Sequence, residues 1–267
     1  MIHLSLRCRR AFVPVLLFSA FTAQAAGLPD TGQETCTSDI GPDYVAASDP
    51  TSIDRDTGTF PRQDCRYGRD VAAAMGLLIK IGAGVKGFDY TKIANNGSVL
   101  PADAALGSAA GEWACTRDNI TGLIWEVKTT SGLRSNANTY TWYSTDSATN
   151  GGGPGDNTDT TSCTGTLGSC NTEAYVTAVN GGLCNATDWR MPTVRELLTL
   201  VYAFGSTSVA AIDPTYFPNT PSSIFWTGST YLQIPGAWIV YFTGGTTNVG
   251  NKAYTGGHVL LVRGGTF

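Results

Sequence analysis

Catalysis of the Ser/His/Asp or Cys/His type would have to run through His258, because the only other histidine, His3, lies in an N-terminal segment that reads as removable. His258 opens the apolar run HVLLVRGG, which fits a histidine at the start of a strand better than a general base. Oxygen donors cluster in TNGGGPGDNTDTTSC, residues 149–163, where Asp156, Asn157 and Asp159 sit between glycines as calcium ligands do. That loop lacks the terminal bidentate Glu of an EF-hand, so calcium is a candidate ion there and a solvated loop is the competing reading. No carboxylate pair stands out for glycoside hydrolysis. Without a Cys-x-x-Cys motif, zinc is not expected either. The residue types therefore point away from an enzyme and away from a resident cofactor.

Residues suited to binding are easier to find. Trp142 and Tyr143 in YTWYSTDS, and Tyr231 just before QIPG, fall outside clear strand alternation and are expected at the surface, where aromatic rings stack on sugars. With Asp156 and Asp159 they make the segment from Arg134 to Cys163 the expected ligand-facing loop. Lys128, Arg134 and Lys252 lie in turn-like sequence and are the cations expected to meet a sulfated or carboxylated sugar. Trp125, Trp189, Trp226 and Trp238 are flanked by apolar residues and are expected in the core. Arg190, Arg195 and Arg263 read as structural ion-pairing residues, with Arg263 tying the last strand to Glu126 or Glu196.

Residues 1–25 have the form of a secretory signal: Arg7, Arg9 and Arg10, an apolar run from Ala11 to Phe21, then Ala23-Gln24-Ala25. Arg9-Arg10-Ala11-Phe12 leaves the twin-arginine route open beside the general one. No other stretch approaches ~20 consecutive apolar residues, so membrane insertion is not expected. Of seven cysteines, Cys8 leaves with the signal, and an even six in an exported chain points to disulfides. Among the fifteen connectivities open to six cysteines, the favoured set is Cys36–Cys65, Cys115–Cys184 and Cys163–Cys170.

Losing Arg7, Arg9 and Arg10 reduces 17 basic residues to 14 against 21 acidic ones, a net charge of −7 that disfavours nucleic acid as a partner. Abundant Gly, Thr, Ser and Asn suggest a loop-rich α+β domain with short antiparallel strands, stapled by disulfides. Residues 26–114 read as a loop-rich N-terminal region packed on the main domain. Within it RYGRDVAAAM reads as a short helix, Leu77–Ile81 as a strand after Gly76, and GFDY as a further strand. Residues 115–267 form the main domain. Two helices are specified there. NTEAYVTAVNGG has Asn171 and Thr172 for capping and two glycines to end on. After Pro192, Thr193 and Glu196 form a T-x-x-E capping box, with an apolar face from Val194 to Tyr202 and a stop at Gly205. FWTGSTYL, AWIVYFTGG and HVLLVRGG then read as a strand meander.

Six segments occur in order: DNITGLIWE, DWRMPTVRELL, IDPTYFP, FWTGSTY, AWIVYFTGG and HVLLVRGG. Together they resemble the C-terminal domain of the Legionella collagen-like adhesin, from about Cys115 to the end. That resemblance implies a C-type-lectin-like architecture and adhesion through glycosaminoglycans. WRMPT is also similar to a segment of formylglycine-generating enzymes, which share the fold, yet no cysteine follows Cys184 to serve their redox chemistry. A Gly-X-Y stalk is absent, so avidity through a collagen trimer does not carry over. The expectation is an exported, non-enzymatic recognition module for a glycan or other cell-surface macromolecule, with a homo-oligomer as a candidate assembly. Its location would be periplasmic, at the cell surface or secreted. The competing reading is a structural or assembly component of the envelope or an appendage.

Overall fold

The computed structural model describes residues 31, 35–38, 41–46, 64–202, 209–232 and 235–265. The expected export signal, the Cys36–Cys65 pairing and the stop at Gly205 lie outside what is described. Strands β1 (Thr35–Ser38) and β2 (Gly41–Ala46) pair antiparallel as a separate ribbon. The expected helix around residue 70 is two short ones, α1 (Asp64–Tyr67) and α2 (Arg69–Ala74), broken at Gly68. Gly76, at φ +71°, turns the chain out of α2. Leu77–Ile81 does not join a sheet, contrary to expectation. Asp89 accepts hydrogen bonds from the amides of Ile81 and Gly82, both at 2.8 Å, and so takes the donors a neighbouring strand would use. Met75, Leu77, Ile79 and Ile81 are left exposed.

The strand expected at GFDY begins at its last residue, as β3 (Tyr90–Ala94). It pairs antiparallel with β4 (Trp113–Asp118), which pairs with β5 (Ile124–Glu126), which pairs with the two-residue β9 (Val262–Arg263). A second sheet follows the order β6 (Ile224–Tyr231), β7 (Gly236–Tyr241), β8 (Thr246–Asn251), the expected antiparallel meander. The fold is thus α+β with short antiparallel strands and few helices.

The two main helices start where their caps predict. Asn171 accepts from the amide of Ala174 at 2.9 Å and opens α3 (Thr172–Val179). At α4 (Val194–Leu198) the Thr193 hydroxyl accepts from the Glu196 amide at 3.2 Å, and the Glu196 carboxylate accepts from the Thr193 amide at 2.8 Å. This helix ends earlier than its apolar face suggests. The amide of Val201 still turns back to the carbonyl of Leu198, but that of Tyr202 binds the carbonyl of Ala211, and the amide of Ala211 that of Phe242, so Val201 and Tyr202 are buried beyond the helix.

Two apolar clusters fill the interior, one on each side of the β6–β7 pair. Ala237 and Ile239 face a cluster containing Trp142, Trp189, Trp226, Tyr140 and Tyr175. Phe225 and Val240 face one with Phe88, Tyr90, Trp125, Leu197 and Phe217. Two disulfides, Cys115–Cys184 and Cys163–Cys170, are formed as expected, and both belong to the first cluster.

Candidate functional site

The three cations assigned to ligand contact occupy other positions. Lys128 is buried: its ammonium lies 3.5 Å from the Glu126 carboxylate, donates to the Tyr175 hydroxyl at 3.1 Å and sits over that ring. Glu126, equally buried, also accepts from the Tyr175 hydroxyl at 2.6 Å and the Leu261 amide at 2.9 Å. Burial depresses the Lys128 pKa against the pull of Glu126. Lys252 is buried over the indole of Trp142 and donates to the carbonyls of Asn150 at 2.7 Å and Gly153 at 2.6 Å. Burial lowers its pKa as well. Arg134 is half-buried at the edge of a groove of about 480 Å³ and donates to the carbonyls of Ala114 and Val127. Lys128 and Lys252 are therefore corrected to core residues. Their long apolar stems and buried ammonium groups pack where backbone carbonyls or a carboxylate complete the donors.

Trp142 is corrected in the same way. It is 3% exposed, and its indole N–H donates to the Thr227 carbonyl at 2.8 Å. Tyr143, the next residue, points the other way and is half-buried. It lines a shallow groove of about 380 Å³ with Asn157, Ser169, Glu173 and Thr177. Asp156 and Asp159 turn their carboxylates inward on their own loop. Asp156 accepts from the amide and hydroxyl of Thr158, and Asp159 from the amides of Thr161 and Ser162 and from both of those hydroxyls. Although partial burial raises the Asp159 pKa, the Ser162 and Thr161 hydrogen bonds outweigh it and hold the carboxyl below its ordinary value. Among the described residues no three His, Cys, Asp or Glu side chains are arranged to hold a metal ion.

Two of the three arginine pairings were legible in kind but not in partner, while Arg195, expected to pair as well, is exposed with no ion pair among the described residues. Glu196 is engaged by Arg190 through two hydrogen bonds, at 2.8 and 2.6 Å, and Arg263 donates to Asp188 at 2.6 Å. The expected Arg263 links to Glu126 or Glu196 are not formed. His258 is buried, with Nδ1 at 3.1 Å from the Asn138 carbonyl and its ring against Phe225. Burial, reinforced by Lys128, lowers its pKa to about 4.

One aromatic expected in the core is instead accessible. Trp113, Trp125, Trp142, Trp189 and Trp226 are buried, which leaves Trp238 as the one half-exposed tryptophan of six. Alternation on β7 explains the division. Ala237 and Ile239 point into the first cluster, whereas Trp238 shares the opposite face with Val240, and α4 packs on β6 and β7. Trp238 lies across from Val249 on β8, and its ring meets that of Tyr231 edge-on, 5.8 Å between centroids. Thr247 and Asn251 continue the same side of β8, and Leu232 beyond Tyr231 is exposed. The result is a strip of aromatic surface flanked by a hydroxyl and an amide, on a three-stranded sheet. No sequence signal short of the sheet register separates Trp238 from its buried neighbours.

The chain thus presents a disulfide-stapled α+β domain of short antiparallel strands, and no helix among the described residues is long and apolar enough to cross a membrane. Residues 114–263 match the family described as the Lcl C-terminal domain, and the chain belongs to that family. The domain is accordingly adhesin-related. No curated protein and no solved structure matches the chain.

Proposed function

We propose that the mature chain is an exported, non-enzymatic recognition module that binds glycans through the Tyr231–Trp238 face, on a C-type-lectin-like scaffold. The observation that carries this reading is the single half-exposed tryptophan, held edge-on by Tyr231 on a three-stranded sheet while every other tryptophan is buried. An aromatic plane fixed in advance stacks on a sugar ring with little ordering on binding. Two helices followed by the β6–β8 meander support the lectin-like reading of the scaffold, and the two disulfides support export to an oxidising compartment. Tyr143, with Asn157 and Ser169 in its groove, and Arg134 are the remaining candidates for secondary contacts. His258 serves as packing, its Nδ1 facing a backbone carbonyl. A glycan array probed with wild type and Trp238→Ala in parallel, with and without calcium, tests the proposal. Binding confined to the wild type is expected, and equal binding by both proteins would remove this face.

A second reading, assembly into an envelope structure or appendage, is favoured by the apolar row Met75, Leu77, Ile79 and Ile81. Light scattering of wild type and of Leu77→Ser/Ile79→Ser distinguishes it. A concentration-dependent assembly lost in the double variant would support that reading.

A further inference from the structure

The cations of the family domain decide which saccharides its aromatic face can take. From Cys115 onward there are seven: Arg117, Lys128, Arg134, Arg190, Arg195, Lys252 and Arg263. Lys128 and Lys252 are buried, the first beside Glu126 and the second on two carbonyls. Arg134 donates to two carbonyls, Arg190 is held by Glu196, and Arg263 by Asp188. Only Arg117 and Arg195 remain without such a partner among the described residues, and they stand on different elements, β4 and the exposed side of α4. On the acidic side Asp146, Asp156, Asp159, Glu173 and Asp188 all reach solvent at least in part. Arg117, Arg134, Arg190, Arg195 and Arg263 reach solvent in the same way, so the solvent-facing charge of the domain is balanced, and with three of these five arginines already engaged there is no row of free cations along which sulfates could lie. Around Trp238 the polar groups on its strip are Thr247 and Asn251, neutral donors and acceptors suited to sugar hydroxyls.

We propose that the Tyr231–Trp238 face selects uncharged saccharides, held by ring stacking and neutral hydrogen bonds and excluding sulfated or carboxylated polymers. This rests on the glycan-binding reading above. Stacking on an uncharged ligand releases no condensed counterions, so binding is nearly independent of salt, whereas a polyanion bound by cations dissociates steeply as salt rises.

The test uses residues 26–267 as purified exported protein, with immobilised galactomannan, amylose and chitin oligosaccharides as neutral probes and heparin and hyaluronan as anionic ones. Each is measured at ~50 and ~500 mM NaCl, a range that takes the Debye length well below the spacing of surface charges. The expected result is retention on at least one neutral probe, with affinity changing less than about twofold across that range. It should fall about tenfold or more in Trp238→Ala, a loss of the size found for one stacking residue. Arg117→Ala/Arg195→Ala should bind as wild type. If Trp238→Ala proves misfolded, Tyr231→Ala and Trp238→Phe read the same face. Binding to heparin or hyaluronan alone, weakening steeply with salt and lost in the arginine double variant, overturns the selectivity and leaves glycan recognition standing. Retention on none of the probes, by folded protein, takes glycan recognition down together with the selectivity.

Discussion

Lys252 lies 4.1 Å from the ring centre of Trp142 and holds the carbonyls of Asn150 and Gly153 from a position inside the protein. The polar loop that looked suited to a metal ion is thus tied down by an internal ammonium group. Lys252→Met should keep most of the stem packing while stranding both carbonyls, lowering stability by about 1–3 kcal/mol. Urea denaturation checks this, and an unchanged midpoint would mean that the loop does not depend on the lysine.

Trp142 and Tyr143 should separate on substitution. Trp142→Ala empties a buried site and removes a hydrogen bond, costing about 3–5 kcal/mol, whereas Tyr143→Ala on the groove wall should stay within about 1 kcal/mol of wild type. Melting curves for the two single variants decide it, and similar losses would place both rings in the core.

Glu196 closes the α4 capping box and receives Arg190 through both carboxylate oxygens. Arg190 is partly exposed, so solvent screening reduces the worth of the ion pair. Glu196→Ala should still cost about 2 kcal/mol, of which the cap alone supplies about 1. Glu196→Gln keeps the cap acceptor and should recover part of that loss. Equal destabilisation by both variants would assign the whole effect to the charge.

His258 predicts how stability varies with pH. Its folded pKa of about 4 lies below the ordinary 6.5, so between those values the unfolded chain binds a proton that the fold refuses. The contribution is fully present above pH ~6.5, falls as pH drops toward ~4, and reaches a loss of about 3 kcal/mol at most. Glu196, whose pKa is lowered by Arg190 and Thr193 against its burial, adds a loss of the same sign only at still lower pH. Denaturation profiles from pH 7 to ~4 should flatten in His258→Gln. An unaltered slope would assign the titration to another group.

The two bridges should differ in worth. Cys115–Cys184 spans 69 residues and Cys163–Cys170 only 7, so removing the first should destabilise by about 4 kcal/mol and the second by about 2–3 kcal/mol. Non-reducing peptide mapping should find both, and Cys115→Ser/Cys184→Ser should melt lowest. The reverse ranking would show that the short bridge anchors the core.

Local features were legible in the sequence and distant ones were not. The caps at Asn171 and Thr193 depend on residues three positions away, and both form as read. The ordered motifs identified the family, and spacing was enough to favour the two described disulfides. Burial of Lys128 and Lys252 was not legible, because neighbours in sequence, Glu126 beside Lys128 included, do not show what encloses them: the Tyr175 hydroxyl that accepts a hydrogen bond from Lys128 is 47 residues away, and the Asn150 carbonyl that accepts one from Lys252 is 102 away. Trp142 and Trp238 exchanged roles for the same reason. An apolar neighbourhood in sequence fixes neither which strand face an indole takes nor which element covers it.

The family match starts at residue 114, but the chain does not begin a new unit there. β3 lies ahead of that point and covers the outer edge of β4, while Phe88 and Tyr90 stack into the cluster of Tyr202, Tyr216 and Phe217. A recombinant fragment cut at the match boundary would leave β4 with unsatisfied edge amides beside an emptied aromatic bay, a surface that recruits other chains. Expression vectors for this domain should begin upstream of Ala83, whose amide and carbonyl clasp Tyr90 at the head of β3.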